Sequence, residues 1–257
     1  MYYLIRYGEI ALKGLNRPFF ENKLASNIRA IAGESLKIKR ERGRIIIESE
    51  KDISENLKKV FGIVSFSIAY KTDFENMNDF VLNLAKNKKF KTFRITANRI
   101  NKGYKKNSNE IAKELGSLIV EKLKKKVSLE KYDLNINVEL VDGAYVYFDR
   151  VECFGGLPVG VEGKVIVLIE TKKGIEAAKR VMRRGCDVIP VAFKKTDISE
   201  INEYLPNKKE IRIIKEVQEI EELANNKNAR ALVVEDSLED IKDYETGLLV
   251  LRPLAFD

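Results

Sequence analysis

Gly155 to Phe193, GGLPVGVEGKVIVLIETKKGIEAAKRVMRRGCDVIPVAF, decides the fold class of this 257-residue chain. A Gly- and Pro-containing link leads into an all-apolar strand, Val165 to Ile169; a turn and an amphipathic helix follow, and a second apolar strand runs from Val188 to Phe193. Strand, loop, helix and strand in that order make a βαβ unit of a parallel sheet. In nucleotide-binding folds the turn after the first strand carries glycines and a hydroxyl, so that backbone N–H groups at the helix N-terminus cradle phosphate. Here that turn reads Glu170-Thr171-Lys172-Lys173-Gly174. Glu170 would set a carboxylate beside polyphosphate, Cβ atoms stand where the backbone must approach closely, and Lys172 and Lys173 read as solvated residues of a surface turn. The frame of a nucleotide fold is present and its working loop is lost.

The composition narrows the chemistry. There is no histidine, which excludes His-based acid–base catalysis and Ser-His or Cys-His nucleophile pairs. Cys153 and Cys186 are far apart, so neither a zinc-ligand spacing nor a redox C-x-x-C is available. Abundant Lys, Glu and Ile with few Met and Cys suit a thermophile. No apolar run approaches the ~20 residues of a membrane span, and the opening MYYLIRYGEI lacks the pattern of a signal peptide, so a cytoplasmic protein is expected. Net charge is +8 and unevenly spread: residues 1–72 carry 14 Lys and Arg against 8 Asp and Glu, residues 73–162 carry 16 against 13, and residues 163–257 carry 17 against 18. A polyanion would bind the first two thirds.

Residues 1–72 alternate strand and helix signals in the order βαββαβ of a ferredoxin-like sheet. The first helix begins after Asn16 with Arg17-Pro18, and Phe20, Leu24, Ile28 and Ile31 fall at helical spacing as its core stripe. Lys13, Arg17, Lys37, Lys39, Arg40, Arg42 and Arg44 are left for the surface, with a tight turn at Arg42-Gly43. A second unit follows: helix Met77 to Lys86, strand Thr92 to Ala97, a basic loop, helix Asn109 to Lys126, and strands Leu134 to Leu140 and Ala144 to Asp149 joined through Asp142-Gly143, a strong hairpin signal. Ile111, Leu115, Leu118, Ile119 and Leu123 form the buried stripe of the longer helix; Lys122, Lys124, Lys125 and Lys126 suit the negative end of its dipole. The stretch Lys91 to Lys106, KTFRITANRINKGYKK, holds Lys91, Arg94, Arg99, Lys102, Lys105 and Lys106 with no acid, and interleaves Tyr104. Basic side chains with one aromatic on a mobile loop suit phosphate contacts plus stacking on an unpaired base, although a solvated charge run reads the same way. Beyond Phe193, strands at Ile211 to Ile214, Ala231 to Val234 and Leu248 to Leu251, with helices Ile198 to Leu205 and Val217 to Ala224, complete a small, mostly parallel, doubly wound sheet of about five strands.

Arg6-Tyr7-Gly8-Glu9-Ile10-Ala11-Leu12-Lys13-Gly14 with Asn16-Arg17, the link Gly155-Gly156-Leu157-Pro158-Val159-Gly160 with Gly163-Lys164, and then Arg184-Gly185-Cys186 and Leu251-Arg252-Pro253-Leu254 resemble, in order, the ThiI-type tRNA sulfurtransferase (thiouridine synthase) family. The resemblance implies an α+β and α/β multidomain fold: a ferredoxin-like domain over 1–72, a THUMP domain with linker over 73–162, and a PP-loop-like α/β domain over 163–257. It also implies tRNA binding by the first two domains, a homodimer, and a sulfur-donor or catalytic partner chain. The family's pyrophosphate loop, Ser-Gly-Gly-x-Asp-Ser, falls on Ile169, Glu170, Thr171, Lys172, Lys173 and Gly174, so every defined residue is replaced. Its segment Thr-Gly-Glu-Ser-Leu-Gly-Gln appears as Val234-Glu235-Asp236-Ser237-Leu238-Glu239-Asp240, without the Thr-Gly, and the chain ends at Asp257 where the family domain goes on. The family's sulfur-carrying cysteines have no counterpart, and Cys186 is expected in a buried apolar place.

The expected function is therefore tRNA binding without adenylation or sulfur transfer, with Lys13, Arg17, Lys91, Arg94, Arg99, Lys102, Tyr104, Lys105 and Lys106 on RNA and no catalytic or metal residues or cofactor. Two alternatives stand beside it. In one the chain is an active enzyme holding ATP and magnesium in a frame left by Val167, Leu168, Ala192 and Phe193. In the other the C-terminal sheet binds a metabolite or a protein.

Overall fold

The computed structural model of the chain describes residues 1–41 and 43–255. The Arg42 half of the expected Arg42-Gly43 turn lies outside the described residues. In chain order the elements are β1 (Tyr2–Arg6), α1 (Arg17–Ala32), β2 (Lys37–Glu41), β3 (Arg44–Glu48), α2 (Ser54–Lys58), β4 (Ser65–Thr72), α3 (Met77–Lys86), β5 (Thr92–Arg99), α4 (Ser108–Leu123), β6 (Lys126–Val127), β7 (Leu134–Leu140), β8 (Ala144–Tyr147) and β9 (Val151–Glu152). They continue as β10 (Lys164–Leu168), α5 (Lys172–Arg183), β11 (Asp187–Ala192), α6 (Ser199–Asn202), β12 (Arg212–Ile213), α7 (Gln218–Lys227), β13 (Ala229–Val233) and β14 (Leu249–Leu251). These gather into two compact units: Met1–Arg6, Lys37–Asp52 and Ser65–Val151 form the first, and Tyr7–Leu36, Ile53–Val64 and Glu152–Asp257 the second.

In the first unit the strands pair in the order β2-β3-β1-β4-β8-β7-β5-β6. The first four are antiparallel throughout, in the 2-3-1-4 arrangement of a ferredoxin-like sheet. The next four belong to the α3–β8 segment, where β5 runs parallel to both β7 and β6 and the β7–β8 hairpin turns at Asp142-Gly143. Their core is a single apolar cluster in which Val81 of α3 and Ile111, Leu115 and Ile119 of α4 meet Phe93, Ile136 and Val138 of the sheet. Each such side chain contributes roughly 1.5–3 kcal/mol of burial. The helix α4 starts on a capping box, since the Asn107 side chain accepts from the N–H groups of Asn109 and Glu110 while Glu110 accepts from the Asn107 N–H. It ends earlier than its sequence suggests. Lys124 turns left-handed at φ 55°, and Lys126 starts an edge strand in place of a last helical turn.

In the second unit five strands lie wholly parallel in the order β12-β11-β10-β13-β14. Alternate residues of β10 serve opposite layers. Val165 and Val167 pack with α5 and α6 residues such as Ala178, Met182 and Ile201, whereas Ile166 and Leu168 pack with Ile220 and Leu223 of α7. Burial on both faces is why β10 reads as an unbroken apolar run. The Gly-rich link clamps the far end of α5: Leu157 N–H donates to the Arg183 carbonyl at 2.9 Å, and Gly160, Val161 and Glu162 N–H groups converge on the Gly185 carbonyl. Gly156 sits at φ 76°, and a Cβ there would lie 2.2 Å from the Arg183 oxygen, so only glycine fits.

Candidate functional site

Strand order in the second unit places a switch point at β10, whose neighbours β11 and β13 are reached by chain segments leaving in opposite directions. In such sheets ligands bind outside the carboxyl ends of the strands at that point. The residues meeting there are Glu170 and Thr171 after β10, and Val234, Glu235 and Asp236 after β13. Thr171 caps α5, its hydroxyl accepting from Lys173 N–H at 3.1 Å. The backbone N–H of Thr171 and that of Glu170 point at Glu235, whose Oε2 accepts from them at 3.0 and 3.4 Å. Glu235 is 8% exposed. A Cβ added at Gly174 would lie 2.7 Å from the same oxygen. An internal carboxylate thus stands where a phosphate oxygen would sit in a working loop, taking up the donors and the favourable end of the helix dipole.

A second buried carboxylate follows it in the chain. Asp236, 2% exposed, accepts from Tyr244 Oη at 2.8 Å, Arg252 Nε at 3.1 Å and Lys242 N–H at 3.1 Å. Lys242 Nζ lies 3.2 Å from Glu170. The residues present do not fit ATP: bringing polyphosphate to this turn would set it against Glu235 and Glu170 together. The frame residues considered for ATP fare no better. Val167, Leu168 and Ala192 are core residues at 0 to 1% exposure, with Val167 and Leu168 on opposite faces of β10, and Phe193 alone reaches the surface.

Neither thiol is poised as a nucleophile. Burial pushes Cys153 up to about 11, with Glu152 adding to the rise, and burial raises Cys186 in the same direction. Both are half-buried, so the expected burial of Cys186 is partial.

The basic stretch of the first unit begins in the expected strand, which runs two residues beyond Ala97: Phe93 to Arg99 pair residue by residue with β7, so Asn98 and Arg99, expected in the loop, are sheet. Alternation then separates its arginines. Arg94 lies on one face with its guanidinium 5.7 Å from the Tyr132 ring, and Arg99 lies on the other, donating to the Tyr104 carbonyl at 2.9 Å. Tyr104 is not a free stacking face, since its ring packs 5.0 Å from Phe74 against the unit's core. Lys106 is held by Glu114 at 2.6 Å. Lys102 and Lys105 remain exposed with no ion pair among the described residues, and Lys91 is exposed at the start of the strand.

Lys13 and Arg17 belong to the second unit. Lys13 Nζ lies 3.6 Å from Glu162 and 4.6 Å above the Phe20 ring. Arg17 is engaged by Glu21 at 2.6 Å and by Tyr7 Oη at 2.7 Å, while burial and Glu21 lift the Tyr7 phenol to about 12. Arg44, expected on the surface, instead reaches the buried Glu139 at 2.7 Å.

Comparison with known proteins now bears on these two regions. Residues 2–67 match the ThiI ferredoxin-like domain and residues 71–149 match the THUMP domain. The chain belongs to the ThiI-type THUMP proteins. A probable tRNA sulfurtransferase of Thermoanaerobacter pseudethanolicus is 41% identical over 202 residues, covering 74% of this chain and 52% of the relative. Another of the same description, from Thermococcus kodakarensis, is 39% identical over 207 residues, covering 73% and 54%. This ThiI-type chain spans about half the length of the curated relatives it matches. Among solved structures, PH1313 from Pyrococcus horikoshii Ot3 superposes with a TM-score of 0.87 at 27% identity, over 99% of this chain and 94% of that one. A 4-thiouridine synthetase in complex with RNA and bound ATP superposes at 0.81 and 27% identity, over 100% and 81%.

The multidomain fold, with ferredoxin-like and THUMP parts and a parallel α/β sheet, is thus the one the sequence indicates. Among the described residues no helix is long and apolar enough to cross a membrane. Glu235 is the functional residue that sequence reasoning missed. Its one signal was an acid directly after the apolar run Ala231 to Val234, at the place where the family has a glycine.

Proposed function

We propose that this chain binds tRNA through its ferredoxin-like and THUMP parts and neither adenylates the RNA nor transfers sulfur to it. The observation that carries the second half is the Glu235 carboxylate on the Thr171 and Glu170 N–H groups. Adenylation needs those donors for ATP phosphates. Sulfur transfer needs an accessible low-pKa thiolate, and both thiols are shifted the other way. tRNA binding is supported by the relatives' description as probable tRNA sulfurtransferases, by the RNA in the 4-thiouridine synthetase complex, and by the positive excess on residues 1–162. On this reading the boundaries lie near residues 72 and 162, and Lys91, Arg94, Lys102 and Lys105 contribute phosphate contacts, while Arg99, Tyr104 and Lys106 hold the loop that presents them.

Titrating the full chain with ATP and magnesium, with AMP, and separately with tRNA, in a calorimeter tests the proposal. Heat from tRNA is expected, and ATP with magnesium should bind no more tightly than AMP; tight, magnesium-dependent ATP binding would restore the enzyme reading.

A further inference from the structure

The second unit contains a hollow of about 650 Å³, at the opposite end of α5 from the Glu235 carboxylate. The C-terminal part of α5 and the residue after it supply Lys179, Arg180, Arg183 and Arg184, and Phe61 and Phe154 form its apolar floor. Phe154 belongs to a cluster of three rings, 5.4 Å from Phe61 and 5.8 Å from Tyr204. Phe61 is 2% exposed but Phe154 is 43% exposed, so the cluster offers a ring surface to the hollow.

Cations outnumber acids on these walls. Lys179 is paired with Glu200, and Arg180 donates to the Pro253 carbonyl at 3.0 Å. Arg184 reaches Glu9 only at 3.4 Å with both side chains largely in solvent, and Arg183 has no ion pair among the described residues. Compensation of the helix dipole accounts for basic residues in the last turn of α5. It does not account for an open aromatic floor beside them, which leaves apolar area in water. A flat ring and two available guanidinium groups at the edge of one hollow match the two halves of a nucleotide: a base stacks on the ring and a phosphate takes the bidentate donors of arginine.

We infer that this hollow is a nucleotide site, with the base on Phe154 and the phosphate on Arg183 and Arg184. The nucleotide is either a free nucleoside monophosphate or an unpaired residue of bound RNA, and the second source rests on the tRNA-binding reading above.

Saturation-transfer NMR on the full chain with UMP and with AMP tests the site directly. Base protons are expected to receive saturation, and Phe154→Leu, which keeps the apolar packing, and Arg183→Gln with Arg184→Gln are each expected to weaken the signal about tenfold or more. Glu235→Gln is expected to leave it unchanged. A tRNA carrying 5-iodouridine at unpaired positions separates the sources. A photo-crosslink to the Phe154 peptide assigns the site to RNA, and a mononucleotide signal without that crosslink assigns it to a free nucleotide. No signal from either mononucleotide together with no crosslink at Phe154 overturns the inference, as does a signal indifferent to the pocket variants. Filter binding of the same tRNA keeps the two readings apart: tRNA retained while the pocket fails sinks this inference alone, and tRNA lost by the unmodified chain sinks the tRNA reading while the mononucleotides still decide the pocket.

Discussion

Glu235 Oε2 accepts the Thr171 N–H at 3.0 Å across the carboxyl ends of β10 and β13, joining residues 64 positions apart in sequence. The contact gives the second unit its own anion at the point where this fold ordinarily receives one from a ligand. Replacing Glu235 with Ala removes the acceptor of the part-buried Thr171 and Glu170 N–H groups, and a hydrogen bond of this kind contributes about 0.5–1.5 kcal/mol. The melting temperature of Glu235→Ala is expected to fall and to recover partly with added inorganic phosphate, while the unmodified chain shows no phosphate dependence. Thermal melts across a phosphate series check this; equal phosphate response in both proteins would refute it.

A second carboxylate holds the first unit together. Glu139, 1% exposed, takes Arg6 at 2.9 Å, Arg44 at 2.7 Å and Tyr147 Oη at 2.8 Å, and so ties β1, β3 and β8 to β7. Removing its charge strands two arginines, one of them 9% exposed, and a broken buried pair costs about 3–5 kcal/mol. Glu139→Gln is expected to lose stability of that order in urea unfolding. A loss below about 1 kcal/mol, the scale of a surface pair, would show that the network is not buried in solution.

The hairpin tip gives a pH dependence. Burial alone would raise the Asp142 carboxyl, but hydrogen bonds from Tyr145, Lys39 and Lys71 outweigh it and hold the group well below the usual carboxylate range. Because the folded pKa is depressed, the stabilisation is present above the unfolded pKa of about 4 and is lost as pH falls through the folded value. Asp142→Asn should therefore be less stable than the unmodified chain at pH 7, with the two converging in strong acid. Denaturant midpoints measured from pH 7 to pH 2 check the sign, and a gap that widens on acidification would contradict it.

Sequence made the C-terminal sheet legible because burial on both faces of β10 leaves no room for polar residues, so Val165 to Ile169 reads one way. Only the end of strand β5 was hidden: Asn98 and Arg99, beyond the expected Ala97, read as loop until pairing with β7 supplies their backbone partners. Glu235 and Arg44 were illegible because each acts on a residue far along the chain, and periodicity carries no information about such partners. Lys102 and Lys105 were legible as charge, but only the packing of Tyr104 on Phe74 distinguishes them from neighbours that hold the loop.

Those two lysines make the RNA reading quantitative. Neutralising both, as Lys102→Ala with Lys105→Ala, should weaken tRNA binding and reduce the log–log salt slope by about 1.4, at ~0.7 per contact on single strands. Stability should change by less than about 0.5 kcal/mol, since neither is paired or buried. Arg99→Ala should instead lower stability as well, because it removes the donor to the Tyr104 carbonyl. Filter binding in graded salt, with melts of the same proteins, separates these effects; an unchanged slope in the lysine pair would mean the loop is merely solvated.

Filter binding of tRNA by the full chain, at constant magnesium and ionic strength with either ATP or AMP added, tests the central claim most directly. The expected result is salt-dependent binding whose affinity is the same in both conditions and whose tRNA is recovered without added sulfur or adenylate. Absence of tRNA binding, or an affinity that differs between ATP and AMP at constant magnesium and ionic strength, would contradict a tRNA-binding chain whose phosphate cradle is filled by Glu235.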